Sequence, residues 1–160
     1  MDPLSIYFYK VDAPYGCFSN FSPHSIELAG KQWATVEHYY QAHKFQGTEF
    51  EYLMPQIQAA ATPELAAKIG RDCKHQPRSD WDLAKCDLMY RAVWQKFSHH
   101  LDIQQILLDT LDLEIVEDSP VDHFWGCGLD RNGANHLGRI LMRVRDDLHR
   151  DLVEPTADRA

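Results

Sequence analysis

Two segments of this chain have the residues that mark the two ends of an α-helix, a threonine at the start and a glycine at the end. The first begins after Thr35 and stops at Gly47, and the second begins with Thr62 and Pro63 and ends at Gly70. A threonine side chain accepts hydrogen bonds from the free N–H groups of a helix start, proline fits the first turn, and glycine suits the end. Two helices in the middle of the chain are therefore predicted.

The remaining elements follow from hydrophobic periodicity and turn residues. A hairpin is predicted where residues 25–28 and 31–33 flank Ala29-Gly30. Further strands are predicted over residues 6–9 and 113–117, and further helices over residues 49–61, 80–98, 102–111 and 136–148. This order predicts an α+β class, a mostly helical single domain with a small antiparallel sheet.

The length of 160 residues suits one domain, which we place at residues 5–149, followed by a frayed polar tail at residues 150–160. No window approaches the roughly 18 to 20 apolar residues of a membrane span, and we expect a cytoplasmic protein.

The net charge limits the classes of partner. The chain has 24 acidic and 16 basic residues, a formal net charge of −8. Non-specific nucleic-acid binding depends on basic surfaces that displace counterions, so a small anionic substrate held by a few local cations fits better.

Metal and redox motifs are missing from the sequence. The four cysteines, Cys17, Cys73, Cys86 and Cys127, are far apart without a C-x-x-C pair, and we interpret them as reduced, mostly buried thiols. No histidine pair has the H-E-x-x-H spacing. We expect neither a metal nor a cofactor.

One stripe of the first predicted helix is polar. Glu37, Gln41 and Lys44 lie at i, i+4 and i+7 and share a face. The stripe is either a solvated surface, with Glu37 near the positive end of the helix dipole, or the wall of a cleft with an acid and a cation about 10 Å apart.

A second dense segment runs from Asp122 through Trp125 to Gly138. Its glycines and Asn135 could simply turn the chain and begin a helix, with Trp125 in the core. In the functional interpretation, Asn135 caps the last helix and Gly138 leaves its first turn open, so that free N–H groups bind a phosphate.

Several carboxylates have aromatic neighbours, notably Glu37, Asp122 and Asp80, which precedes Trp81. Cleavage of a glycosidic bond passes through an oxocarbenium-like state, which a carboxylate stabilises while an acid protonates the leaving group. An indole face can stack on a heterocyclic base. Glycosidic cleavage is therefore one possible chemistry among several.

From about residue 6 to residue 145 the chain also resembles the NADAR (YbiA-like) family. The blocks that carry the resemblance are residues 16–21, 35–45, 69–71, 80–81, 96–97, 116–117, 122–126 and 133–142. Ala134 and His136 depart mildly from the family pattern, since lysine, arginine or other residues are often found at these positions.

The resemblance implies an N-glycosidase with the YbiA-like fold. Family members are similar to a hydrolase that cleaves phosphoribosylated aminopyrimidine intermediates of riboflavin biosynthesis into ribose 5-phosphate and the base. Others remove ADP-ribose from guanine in DNA, and a non-catalytic ADP-ribose-binding module is a further alternative. The implied partners are thus a small phosphorylated ribosyl substrate or ADP-ribosylated DNA, with no membrane, and the oligomeric state stays open.

The resemblance also implies the site residues. Glu37, Asp122, Trp81 and Trp125 fall on catalytic positions. The positions for substrate and phosphate are Asn20, Lys44, Arg71, Asn135 and Gly138. The pattern does not assign the roles of acid and nucleophile between Glu37 and Asp122.

Hydrolysis by this chain is expected to survive chelation. Two carboxylates and aromatic faces suffice for glycosidic cleavage without a divalent ion. The measurement compares the rate of base release before and after EDTA treatment and gel filtration. Activity that disappears and returns with Mg²⁺ or Zn²⁺ would show that the acids bind a metal.

Overall fold

The computed structural model describes residues 4–154. Over this range the α+β class and the small antiparallel sheet are confirmed. In chain order the elements are β1 (Ser5–Phe8), a 3₁₀ turn (Gly16–Phe18), β2 (Ile26–Leu28), β3 (Lys31–Trp33), α1 (Val36–His43), α2 (Leu53–Gln58), α3 (Pro63–Gly70), α4 (Trp81–His99), α5 (Leu101–Leu108), β4 (Glu114–Glu117) and α6 (His136–Val153).

The chain forms two compact units. Among the described residues, the first unit comprises residues 4–19 and 97–154, and the second unit comprises residues 20–96. The boundary falls within α4.

The first unit is built around β4. This strand pairs in parallel with β1, with Ile6 opposite Ile115, a pairing of distant segments that no local signal predicted. The helix α6 packs on β4 and on α5. Leu107, Ile115 and Leu141 have no exposed surface in this core.

The second unit consists of the β2–β3 hairpin and the helices α1, α2 and α3, with most of α4. The predicted hairpin is present, with Ile26 opposite Trp33. The helix α1 packs against both α2 and α3. The side chains of Val36, Phe45 and Ile57 are fully buried there.

The predicted caps of α1 and α3 are confirmed. Thr35 accepts a hydrogen bond from the His38 N–H at 3.3 Å, and Thr62 accepts one from the Leu65 N–H at 3.2 Å. Both helices therefore begin where a local side chain satisfies a free backbone donor.

The bounds of several helices differ from the prediction: α1 ends at His43, before the predicted stop at Gly47, and α5 covers Leu101–Leu108 in place of residues 102–111. The helix predicted over residues 49–61 covers only Leu53–Gln58, because Pro55 fits only the first turn, and the residues before Leu53 form turns. The last helix continues to Val153, into the segment predicted as a tail. The rest of that predicted tail, residues 155–160, lies outside the described residues.

The expectation that most cysteines are buried is wrong. Cys127 is buried, Cys17 and Cys86 are half-buried and Cys73 is exposed. All four are free thiols. Among residues 4–154, no helix has the length and apolar character needed to cross a bilayer.

The prediction that Asn135 caps α6 is wrong. Asn135 has a left-handed backbone with φ 52°, and its side chain makes no capping bond. Its amide instead bridges β4, accepting from the Glu117 N–H at 3.0 Å and donating to the Ile115 carbonyl at 2.9 Å. The side chain thus ties the start of α6 to the strand.

The prediction that Gly138 leaves the first turn open is also wrong. A Cβ at Gly138 would lie 2.1 Å from the Ile115 carbonyl oxygen and 2.4 Å from Nδ2 of Asn135. The space beside this glycine is filled by the strand and the amide. Gly138 therefore permits close packing of α6 on β4.

Gly138→Ala should lower the free energy of unfolding by about 1 to 3 kcal/mol, the usual cost of overpacking, although alanine favours helices. The added methyl group meets backbone, which cannot move aside as a side chain can. Urea unfolding of the variant, with Arg139→Ala at the exposed next position as control, measures the effect. An unchanged or higher unfolding free energy for Gly138→Ala would contradict this packing role.

Candidate active site

The second unit buries a carboxylate at the start of α1. Glu37 is the second residue of this helix, and it is only 4% exposed. Its backbone N–H donates to the carbonyl of Asn20 at 3.1 Å. The interpretation of this stripe as a solvated surface is therefore wrong, because Glu37 and Gln41 are both buried.

The Glu37 carboxylate is compensated from two sides. Oε1 accepts a hydrogen bond of 2.6 Å from Nε2 of Gln41, one turn further along α1. The guanidinium of Arg71, which follows α3, lies 3.7 Å from the same oxygen. Since a buried carboxylate requires hydrogen bonds and opposite charge, these contacts allow Glu37 to stay ionised away from water.

The Arg71 side chain is 63% exposed, whereas that of Glu37 is 5% exposed. The guanidinium therefore reaches solvent while it contacts the buried carboxylate. An arginine in this position retains donors for an anion that arrives from solution.

Lys44 adds a second cation to this cluster. Its Nζ donates to the Gly70 carbonyl at 3.3 Å and lies 5.6 Å from the ring centre of Tyr40. Burial lowers the pKa of Lys44 to about 8; the charge of Glu37 raises it, and those of Arg71 and Lys85 lower it further. Lys44 therefore changes charge at a mildly alkaline pH.

Aromatic rings adjoin the two cations. Trp81, the first residue of α4, is 7% exposed. Its ring lies 5.1 Å from that of Tyr40, at an interplanar angle of 48°. Tyr40 thus contacts both Lys44 and Trp81.

Asn20 lies against the start of α1 and is largely buried. Its Nδ2 donates to the sulfur of Met89 at 3.4 Å. Its Oδ1 is shielded from solvent and has no hydrogen-bond partner among the described residues. A buried amide oxygen without a partner is uncommon in folded proteins.

In the first unit, Asp122 organises a tight turn. Its Oδ1 accepts hydrogen bonds from the N–H groups of Phe124 at 2.9 Å and Trp125 at 2.7 Å. Its own N–H donates to Oγ of Ser119 at 3.1 Å. These contacts fix the carboxylate as an acceptor and set the backbone that carries Trp125.

Trp125 is 9% exposed and packs within the first unit. Its ring lies 4.8 Å from that of Phe124, nearly perpendicular to it, and 6.4 Å from that of His136. The indole is therefore held by aromatic neighbours from the turn and from α6.

The proposed phosphate site at the start of α6 is not supported. The His136 N–H donates to the Phe124 carbonyl at 3.0 Å, and the Leu137 N–H donates to the Trp125 carbonyl at 3.0 Å. Two of the donors that an anion would need are thus already bonded. The turn and the helix start instead support each other.

The first unit also contains a cavity of about 170 Å³. Tyr7, Cys127, Arg131 and Asn135 are among the residues that line it. Arg131 is already paired, because its guanidinium lies 3.1 Å from a carboxylate oxygen of Asp118 and 5.2 Å from the Tyr7 ring centre.

The structure divides the predicted residues between the units. The second unit holds Asn20, Glu37, Lys44, Arg71 and Trp81, and the first holds Asp122, Trp125, Asn135 and Gly138. Among the described residues, no group of three or more histidine, cysteine or acidic side chains is arranged to hold a metal ion.

Three residues of the cluster were missing from the predicted site: Tyr40, Gln41 and Gly70. Gln41 lies four residues after Glu37 on the same helix face, and side chains at this spacing contact each other. Gly70 was predicted only as a helix end. No signal in the sequence pairs Gly70 with Gln41.

Comparison with known proteins identifies relatives that match most of this chain. The NADAR domain model matches residues 7–149. The chain is 56% identical to an N-glycosidase of Nostoc punctiforme, over 91% of this chain and 93% of that protein. It is 36% identical to the N-glycosidase YbiA of Escherichia coli, over 92% of this chain and 91% of that protein.

Two further similarities extend the comparison. The NMR structure of Escherichia coli YbiA matches with a TM-score of 0.84 at 35% identity, covering 100% of this chain and 92% of that chain. The maize riboflavin biosynthesis protein PYRR is 44% identical over 89% of this chain, which spans only 25% of that longer protein.

The chain belongs to the NADAR family. It is an enzyme, a hydrolase that acts on N-glycosyl compounds.

Because of Lys44, the free energy of unfolding should change with pH in the alkaline range. The native state loses this proton near pH 8, whereas the unfolded chain keeps it up to about 10.5, so the unfolded state binds more protons between these values. Stability therefore rises with pH in this window, and falls as pH drops back toward 8. Relative to Lys44→Met, the wild type should gain about 1 to 3 kcal/mol between pH 8 and 10.5.

Urea unfolding across this pH range measures the difference, and the exposed Lys68→Met serves as control. Parallel stability curves for wild type and Lys44→Met would show that Lys44 keeps an ordinary lysine titration.

Proposed function

We propose that this enzyme hydrolyses the N-glycosidic bond of phosphoribosylated aminopyrimidines, the intermediates of riboflavin biosynthesis. The products are ribose 5-phosphate and the free base. The observation that carries this proposal is the buried Glu37, held by Gln41 and flanked by Lys44 and the exposed guanidinium of Arg71.

This cluster supplies the chemistry that the reaction requires. Cleavage needs a carboxyl group that transfers a proton to the leaving base or from the attacking water. Glu37 is the candidate for this role. Lys44 and Arg71 supply the positive charge that recognises a phosphate, and arginine can bind it through two donors.

Asp122 is proposed as a second carboxylate, which stabilises the positive charge that develops on the ribose. Its Oδ1 accepts hydrogen bonds from two backbone N–H groups, which hold the carboxylate in a fixed orientation. Trp81 and Trp125 are proposed to shape the base and ribose positions. Asn20, Asn135 and Gly138 stay predicted substrate positions, although the capping and open-turn reasons for Asn135 and Gly138 are withdrawn.

The names of the relatives favour this substrate over ADP-ribosylated guanine in DNA. The maize relative and one from Vibrio vulnificus, 39% identical over 89% of this chain, are both named riboflavin biosynthesis proteins. The net charge of −8 is also unfavourable for binding a nucleic-acid backbone. An ADP-ribose-binding module without catalysis is disfavoured because relatives are named N-glycosidases.

The test is a comparison of three substrates with the purified protein. These are a phosphoribosylated aminopyrimidine, its dephosphorylated nucleoside and an ADP-ribosylated DNA oligonucleotide. Chromatography with mass detection measures the free base and sugar. We expect the highest kcat/KM for the phosphorylated pyrimidine. Turnover of only the DNA substrate would replace the proposed substrate, and release of base from none of the three would refute it.

Glu37→Gln should lower kcat by roughly 10² or more, the scale of a lost acid–base catalyst. The amide keeps the shape of the side chain but cannot exchange the proton. The matched control is Glu64→Gln, because Glu64 occupies the same second position of α3 behind a threonine cap but is exposed. Near-normal turnover by a folded Glu37→Gln protein would remove Glu37 from the mechanism.

A further inference from the structure

Gln41 contacts the proposed acid–base residue directly. It lies one turn after Glu37 on α1 and is only 1% exposed. Its Nε2 donates to Oε1 of Glu37 at 2.6 Å, a short hydrogen bond of the kind made to charged acceptors.

The other end of the same amide lacks a partner. Oε1 of Gln41 is shielded from solvent and makes no hydrogen bond to any described residue. A buried acceptor without a donor is costly, and native proteins usually satisfy it. Because water does not reach this oxygen, its acceptor capacity is available only to a group of the protein itself.

The end of α3 makes room for this amide. A Cβ at Gly70 would lie 2.2 Å from Oε1 of Gln41 and 2.7 Å from its Cβ. The same glycine accepts the hydrogen bond of Lys44 through its carbonyl, and the next residue, Arg71, pairs with Glu37. The position of Gln41 therefore depends on the packing of α3 against α1.

We propose that Gln41 is a positioning residue that holds Glu37 in both of its protonation states. This inference rests on the proposed acid–base role of Glu37. In the ionised state, the Gln41 N–H donates to the carboxylate. In the protonated state, the amide rotates by 180°, so that the bond from Nε2 to Glu37 is broken and Oε1 accepts the O–H of Glu37 in its place. The oxygen itself gives up no hydrogen bond in this rotation.

The charged groups around Glu37 stabilise only its ionised state. Arg71 after α3 and Lys44 after α1 both favour the ionised carboxylate, and the charge of Lys85 on α4 lowers the pKa of Lys44. A neutral amide that can donate or accept holds the protonated form as well. Glu37 can then exchange a proton without leaving its position.

The test follows the titration of Glu37 itself, so that it does not depend on the substrate. Carbon-13 NMR of glutamate-labelled protein gives the titration, and Glu37→Gln assigns the resonance. In Gln41→Met the carboxylate loses the hydrogen bond from Gln41, and its midpoint should rise by about 1 to 2 pH units, the value of one hydrogen bond to a charged group.

Two further measurements separate positioning from a purely structural role. In the wild type, the nitrogen-15 resonance of the Gln41 side-chain amide should shift at the same pH as Glu37, and this shift should vanish in Glu37→Gln. Gly70→Ala displaces Gln41 without removing its amide, and should raise the Glu37 midpoint in the same direction. The Glu37 midpoint of Gly70→Ala therefore tests the inference if the Gln41→Met protein does not fold.

The matched control is Gln105→Met, because Gln105 donates to Asp109 at 2.7 Å in the same one-turn arrangement but at an exposed position. It should leave the Glu37 midpoint and the pH profile of kcat/KM unchanged. For the active enzyme, Gln41→Met should move upward the limb of that profile that Glu37 governs, the acidic limb for a base and the alkaline limb for an acid. It should also lower kcat more than it changes KM.

The results separate the two proposals. A wild type that cleaves none of the three substrates refutes the proposed function, while the NMR titration still decides the role of Gln41. An unshifted Glu37 midpoint in Gln41→Met or Gly70→Ala, even with a lower melting temperature, would overturn the inference.

Discussion

The hydrogen bond between Gln41 and Glu37 is the contact on which the site in the second unit depends. A carboxylate that is 4% exposed cannot stay charged without donors and nearby cations. Gln41 provides the donor from the same helix, and Arg71 provides a cation from the end of α3. Thus the burial of one acid requires that α1 and α3 meet at this point.

The end of α3 is the structural support of this site. The carbonyl of Gly70 accepts a hydrogen bond from Lys44, and the absence of a side chain at Gly70 leaves space for Gln41. The next residue, Arg71, pairs with Glu37. Two consecutive residues therefore position three side chains of α1. A substitution at Gly70 would disturb the site without removing any of its polar groups.

In the first unit, single residues also join two elements. Asn135 and Gly138 join α6 to β4, one through its amide and the other through the absence of a side chain. The backbone donors of His136 and Leu137 bind the turn that Asp122 organises. These residues have the composition of an anion site, but the structure uses them to pack a helix on a strand.

The sequence by itself determined the elements whose signals are local. The caps at Thr35 and Thr62, the hairpin at Ala29-Gly30 and the stripe of Glu37, Gln41 and Lys44 depend on neighbours within a few residues. The ends of the helices were predicted less well. The helix predicted over residues 49–61 begins only at Leu53, because Pro55 fits only the first turn of a helix.

Only the tertiary structure decided which of these residues are buried and what they contact. The parallel pairing of β1 with β4 joins residues more than a hundred positions apart. Asn135 takes its role from contacts with residues 18 and 20 positions away. The polar stripe of α1 fitted a solvated surface equally well until α3 covered it. Burial depends on contacts between distant segments, and the spacing of residues along one helix carries no information about the partner that packs on it.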